Sequence, residues 1–161
     1  MDTDKLNRWL TLGANIGVLA GLLLLVAELN QNHEMMRSQT RHEMAMGIVD
    51  LLQTPAANEQ LADLMYRAEA GEDLTPVERY QFNMRSNALL RYWEDAHYQY
   101  RVGLYDEVEF SKQREAWRAA MLRSAGMRSY WCEVRTLYSP EYMAEMDAMQ
   151  PAGACDQSGG S

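Results

Sequence analysis

The sequence has few cysteines and fewer basic than acidic residues. Cys132 and Cys155 are the only cysteines among 161 residues, too few for a disulfide-built scaffold or a cysteine-based zinc cluster. The 15 Lys and Arg residues against 23 Asp and Glu residues give a net charge of -8. Nucleic-acid binding usually requires a basic surface, which this balance disfavours. We therefore expect neither a disulfide scaffold nor a nucleic-acid partner.

Motifs that identify common enzymes are also missing. The chain has no Gly-x-Ser-x-Gly turn, no phosphate-binding glycine loop and no dinucleotide-binding fingerprint. Cys132 lies between Trp131 and Glu133, surroundings that disfavour a reactive thiolate. We expect Cys132 to be a small buried side chain and Cys155 to be incidental. The sequence predicts no catalytic residue, cofactor or metal, and it favours a non-enzymatic role.

A long apolar run lies near the N-terminus, over residues 9–29. Its first nineteen residues, WLTLGANIGVLAGLLLLVA, carry no charge, and as a helix they would span roughly 28 Å of the ~30 Å hydrocarbon core of a bilayer. We predict a transmembrane helix over residues 9–29, preceded by a short flank over residues 1–8, with the lipid bilayer as its partner. The alternatives are a buried core helix and a cleaved signal peptide, although the run is longer than most signal cores.

The charges around the run indicate an orientation. Lys5 and Arg8 directly precede it, whereas Arg37 and Arg41 lie further beyond its end. Two basic residues lie on each side of the run, so their number does not set the orientation. The pair before the run is closer to it, which favours an N-terminus on the inner side. The chain beyond residue 29 would then lie on the outer side.

Small residues recur inside the run. Gly13, Gly17 and Gly21 are spaced by four residues, a pattern that lets a second helix approach closely in lipid. Asn15 adds a polar group at depth, which should seek a partner other than lipid. We predict that these four residues form an interface with another membrane helix, from a second copy or a larger complex. The alternative is a stripe that faces lipid.

The remainder of the chain predicts an all-α fold. Residues 30–149 should form a compact bundle of five or six helices, and residues 150–161 a disordered tail. The sequence Thr75-Pro76-Val77-Glu78 is typical of a helix start with a capping box. Gly71 is expected to end the preceding helix. From Asn30 onward, 13 basic and 20 acidic residues give a net charge of -7, which should keep the domain off anionic lipid.

Two segments carry a resemblance to a known group. The first is NIGVLAGLLLLVAELNQN, which ends in a Glu-x-x-Gln-Asn type motif over Glu28 to Asn32. The second runs from TPVERY at Thr75 through WEDAHYQYRVGLYDE to SYWCEVRTLYSPEYMAEMD. The chain resembles a group of uncharacterised bacterial single-pass membrane proteins with an all-helical, Trp- and Tyr-rich domain. The resemblance implies this fold and a bacterial origin, and it implies no activity. Together with the orientation that Lys5 and Arg8 indicate, it places the helical domain on the periplasmic side of a bacterial inner membrane.

One predicted helix carries the most chemically versatile side chains. Glu94, His97, Tyr98 and Arg101 share one helical side, and Trp93 lies on the neighbouring side. These five residues could line a polar pocket for a small ligand, with His97 titrating near neutral pH. The alternative is a satisfied ion-pair network beside a packed aromatic face. Glu94-x-x-His97 also matches half of a di-iron site, but no second copy exists.

Two functions follow from these features. The favoured one is a scaffold or accessory subunit of a membrane complex that associates through its glycine-striped helix and its acidic helical domain. The alternative is a membrane-anchored sensor or enzyme that uses the pocket around Glu94, His97 and Arg101.

Overall fold

The chain folds entirely into helices. A computed structural model describes residues 2–155, which contain six α-helices and one short 3-10 helix. This confirms the all-α prediction of a long apolar N-terminal helix followed by a compact helical domain. The helices are α1 (Thr3–Ala56), α2 (Glu59–Ala70), α3 (Pro76–Arg101), α4 (Glu107–Arg123), α5 (Ala125–Val134) and α6 (Pro140–Ala148), with the 3-10 turn at Arg135–Leu137 between α5 and α6.

The first structural unit consists of α1 as far as Gln39. Among the helices of residues 2–155, α1 alone is long and apolar enough to cross a membrane, and no residue of its most apolar stretch is buried. Large side chains there are exposed, and Leu19, Leu23 and Val26 are each more than half exposed. The core-helix alternative is therefore not favoured, because a core helix would bury these side chains.

The second unit begins at Thr40, and its helix boundaries follow local capping chemistry. Thr75 and Glu78 form the predicted capping box, in which each side chain accepts a hydrogen bond from the other residue's backbone N–H. Gly71 ends α2 with a φ of 82°, a left-handed conformation that glycine adopts without strain. Asp106 and Ser124 cap the starts of α4 and α5 with their side-chain oxygens.

Aromatic rings form the centre of the second unit. Trp93 stacks on Trp117 at a centroid distance of 5.4 Å, and Trp131 meets Tyr142 edge to face at 5.8 Å. The fully buried Tyr142 hydroxyl donates to the Leu90 carbonyl at 3.1 Å, which satisfies this polar group inside the core. This buried aromatic cluster fixes α3 against α4, α5 and α6.

A proline lies in the last turn of α1. Pro55 lies inside α1, which ends one residue later at Ala56. Pro55 has no N–H to donate to the carbonyl of Leu51, four residues earlier. The Arg85 guanidinium donates to that carbonyl through Nη2, so a side chain of α3 replaces the missing backbone hydrogen bond.

The two cysteines form a disulfide, and our expectation for them was wrong. Cys132 on α5 bonds to Cys155, 23 residues later, with Cα atoms 5.1 Å apart. Cys155 is partly buried and packs against the core, so residues up to 155 are tied to the domain. The part of the predicted tail over residues 156–161 lies outside the described residues. A disulfide between residues this far apart depends on tertiary packing that no local pattern encodes.

Candidate functional site

Glu94 holds the start of α6 by a hydrogen bond to the backbone of Ser139. Its Oε1 accepts from the Ser139 backbone N–H at 2.8 Å, and its Oε2 accepts from Arg91 Nη1 at 2.6 Å. Burial opposes ionisation of Glu94, but these two hydrogen bonds outweigh it and hold the pKa of Glu94 below its ordinary value. Both carboxylate oxygens therefore already have partners from the chain itself.

Arg101 and Tyr98 lie toward the surface of the same helix. Arg101 Nη2 donates to Glu141 Oε1 at 3.1 Å, a second contact between α3 and the start of α6. Tyr98 is 57% exposed. Glu94 and Arg101 thus each pair with a residue outside the proposed Glu94–His97–Arg101 network.

His97 lies in the aromatic core. Its side chain is buried, with the rings of Phe110 and Tyr142 at centroid distances of 6.1 and 5.8 Å. Burial lowers the pKa of His97 below its ordinary value, and the nearby Glu145 carboxylate opposes this only in part. The neutral imidazole is therefore the favoured form in the folded chain.

We expect the stability of the domain to depend on pH through His97. Because its pKa is lowered on folding, the unfolded chain binds a proton more readily, and stability falls as pH drops through the ordinary value of 6.5. The melting temperature, followed by circular dichroism, should decline between about pH 7.5 and about pH 5. His97→Gln should make this decline shallower, whereas His42→Gln, at an exposed position, should leave it unchanged. Equal slopes for both variants would contradict the assignment.

The five predicted residues therefore point in different directions. Trp93 is buried and lines a cavity, His97 lies in the aromatic core, and Glu94 and Arg101 contact α6. Within residues 2–155, no group of three or more His, Cys, Asp and Glu side chains is placed to hold a metal ion. The pocket around Glu94, His97 and Arg101 stays a prediction without a geometric feature in its favour.

The four predicted interface residues of α1 are all exposed. A Cβ added to Gly13, Gly17 or Gly21 would meet nothing within 4 Å, so the glycine face is open. At about 100° of rotation per residue, Asn15 lies roughly opposite the glycines on the helix. One partner helix cannot contact both the glycine face and Asn15, which makes them two separate features.

A cavity that sequence reasoning missed lies between α1, α2, α3 and α4. It has a volume of about 390 Å³, within the range of roughly 300–1,000 Å³ that is usual for small-molecule sites. Trp93, Trp117 and Leu89 belong to its apolar wall, and Arg85 and Gln113 are polar members of its lining. The available sequence signal was weak: Arg85, Leu89 and Trp93 recur every four residues along α3, which places a charge in an apolar stripe.

The comparisons leave the family open. Neither protein-family models, nor curated proteins, nor solved structures give a match to this chain. The all-helical architecture agrees with the resemblance drawn from the sequence, while membership of that bacterial group stays a prediction.

Proposed function

We propose that the chain is a non-enzymatic single-pass membrane protein that serves as a scaffold or accessory subunit. The observation that carries this proposal is the exposed apolar stretch of α1, whose residues 9–27 carry no charge. Side chains of this kind need an apolar environment, and a bilayer supplies one of matching thickness. The helix continues unbroken to Ala56, which connects the anchor directly to the helical domain.

The disulfide supports an orientation with the helical domain outside the cytoplasm. Disulfides persist in oxidising compartments such as the bacterial periplasm and are rare in the cytosol. The bond between Cys132 and Cys155 therefore agrees with the orientation that Lys5 and Arg8 predict. The domain would lie on the periplasmic side of a bacterial inner membrane.

The glycine face of α1 is the surface proposed for association. Helices in lipid associate through close backbone packing, and Gly13, Gly17 and Gly21 leave that space open. The partner is a membrane helix of a second copy or of a larger complex. Asn15, on the opposite face of α1, would contact a different partner helix. The acidic domain, with its net charge of -7 from Asn30 onward, would then contact the partner's outer segment.

Replacing Gly17 by isoleucine should reduce association several-fold. The added branched side chain would fill the space at the middle of the glycine face. Association is measured by crosslinking the full chain in membranes, scoring both a homodimer and larger adducts. Leu19→Ile is the matched control, because residue 19 lies roughly opposite Gly17 and carries a large side chain already. Unchanged crosslinking in Gly17→Ile would contradict the proposed interface.

A further inference from the structure

The cavity between α1 and α4 combines an apolar wall with polar atoms that have no partner. Buried side-chain atoms without a hydrogen-bond partner are few in residues 2–155, and four of the six belong to three residues that line this cavity. They are Arg85 Nε, Arg85 Nη1, Gln113 Oε1 and Trp117 Nε1. Buried polar groups are ordinarily satisfied, so this concentration points to a group that the site is built to receive.

Arg85 contributes an uncompensated positive charge. Its Nη2 donates to the Leu51 carbonyl, which fixes the guanidinium in place, while Nε and Nη1 are left to donate elsewhere. Burial lowers the pKa of Arg85, which agrees with a cation that lacks a nearby carboxylate. Guanidinium groups form charge-assisted hydrogen bonds with carboxylates and phosphates. An anionic group is therefore the natural complement of Arg85.

The carboxylate among the residues that line the cavity has another partner. Glu69 also lines the cavity, but its Oε2 lies 3.6 Å from Arg123 Nε at the exposed rim. Glu69 and Arg123 thus neutralise each other, and the charge of Arg85 remains without a counter-ion among the contacts of residues 2–155.

Gln113 and Trp117 also line the cavity, and each carries a buried polar atom without a partner. Tyr92 donates its hydroxyl hydrogen to the Met44 carbonyl at 2.6 Å, so it accepts from Gln113 Nε2 at 3.0 Å. This arrangement orients the Gln113 amide and leaves its oxygen as a free acceptor. The indole N–H of the buried Trp117 is a further free donor. Three donors against one acceptor favour an acceptor-rich ligand head.

We propose that this cavity binds a single-chain amphiphile with a carboxylate head, such as a medium-chain fatty acid. The carboxylate would accept from Arg85 through Nε or Nη1, which point to different sides of the guanidinium, and from Trp117 Nε1. The alkyl chain would pack along Leu89, Met65 and the Trp93 ring. The cavity lies within residues 48–127, so this proposal is independent of the association proposed for α1, and either can fail alone.

The test uses octanoate and the full chain in nanodiscs of zwitterionic lipid. Binding is followed by tryptophan fluorescence, because Trp93 and Trp117 stack on each other in the cavity lining. We expect saturable binding of octanoate and at least tenfold weaker binding of octyltrimethylammonium, which has the same chain and a positive head. Equal binding of the two amphiphiles, or no saturable change with octanoate, would overturn the proposal.

Substitutions then locate the site. Arg85→Met should weaken octanoate binding about tenfold or more, since it removes charge-assisted hydrogen bonds. Arg118→Met, at an exposed position of α4, is the matched control and should bind normally. Ala116→Phe, at an exposed position in the lining, should fill the cavity and block binding while Arg85 is kept. If Arg85→Met fails to fold, the octanoate affinity of Ala116→Phe tests the site by itself. Normal affinity in that variant would contradict the assignment.

Discussion

Replacing Trp131 by alanine should lower the free energy of unfolding of the helical domain by about 3–5 kcal/mol, the usual cost of truncating a fully buried tryptophan. Trp131 has no exposed surface and contacts the rings of Tyr138 and Tyr142. Its indole N–H also donates to Asp147 Oδ1 at 2.9 Å, which ties α5 to α6. The variant therefore loses packing and a hydrogen bond between two helices together.

Denaturant unfolding of the full chain in mild detergent, followed by near-ultraviolet circular dichroism, measures this effect. Tyr66→Ala is the matched control, because Tyr66 is 74% exposed and should contribute little. Trp131→Phe should lose less unfolding free energy than Trp131→Ala and more than Tyr66→Ala. It keeps most of the packing but loses the hydrogen bond to Asp147. A loss below about 1 kcal/mol for Trp131→Ala would contradict the central place of this ring in the core.

Removing the disulfide should cost about 3 kcal/mol. Cys132 and Cys155 enclose a loop with a sequence separation of 23 residues, and loop-closure entropy for that length gives this magnitude. The double variant Cys132→Ser with Cys155→Ser should therefore unfold at lower denaturant concentration than the unaltered chain. Reduction of the unaltered chain by a thiol reagent should reproduce the same shift.

The comparison of reduced and substituted chains also identifies the cause. If the bond itself stabilises the fold, a reducing agent should shift the unaltered chain and leave the double variant unchanged. A reduced chain as stable as the oxidised one would show that the cross-link contributes nothing. The 3-10 turn and α6 lie inside the enclosed loop, so they should lose amide protection first.

The sequence predicted the features that depend on neighbouring residues. The capping box at Thr75 and Glu78 and the helix end at Gly71 arise from local backbone and side-chain chemistry, and both are observed. The apolar run was equally visible, because its composition alone identifies a helix able to cross a membrane. The structure adds that this helix continues to Ala56 without a break.

Features that depend on distant residues were missed or stayed open. Glu94 bonds to Ser139, 45 residues later, and helical spacing on α3 cannot reveal such a partner. The same holds for Arg85, whose hydrogen bond to Leu51 depends on a proline in another helix. Pairing of Cys132 with Cys155 likewise requires α5 and the segment after α6 to meet. The cavity beside Arg85 is lined by residues of four helices, so the residue pattern of any one helix could not predict it.

Orientation in the membrane is tested most directly by labelling single added cysteines in intact cells. Both native cysteines are bonded to each other and should not react. Val108→Cys lies at an exposed position of the helical domain, and Asp4→Cys lies in the flank before the apolar run. A membrane-impermeant maleimide should label residue 108 in intact cells and residue 4 only after lysis. Labelling of residue 4 alone, or of neither residue before lysis, would contradict a single span with the domain outside the cytoplasm.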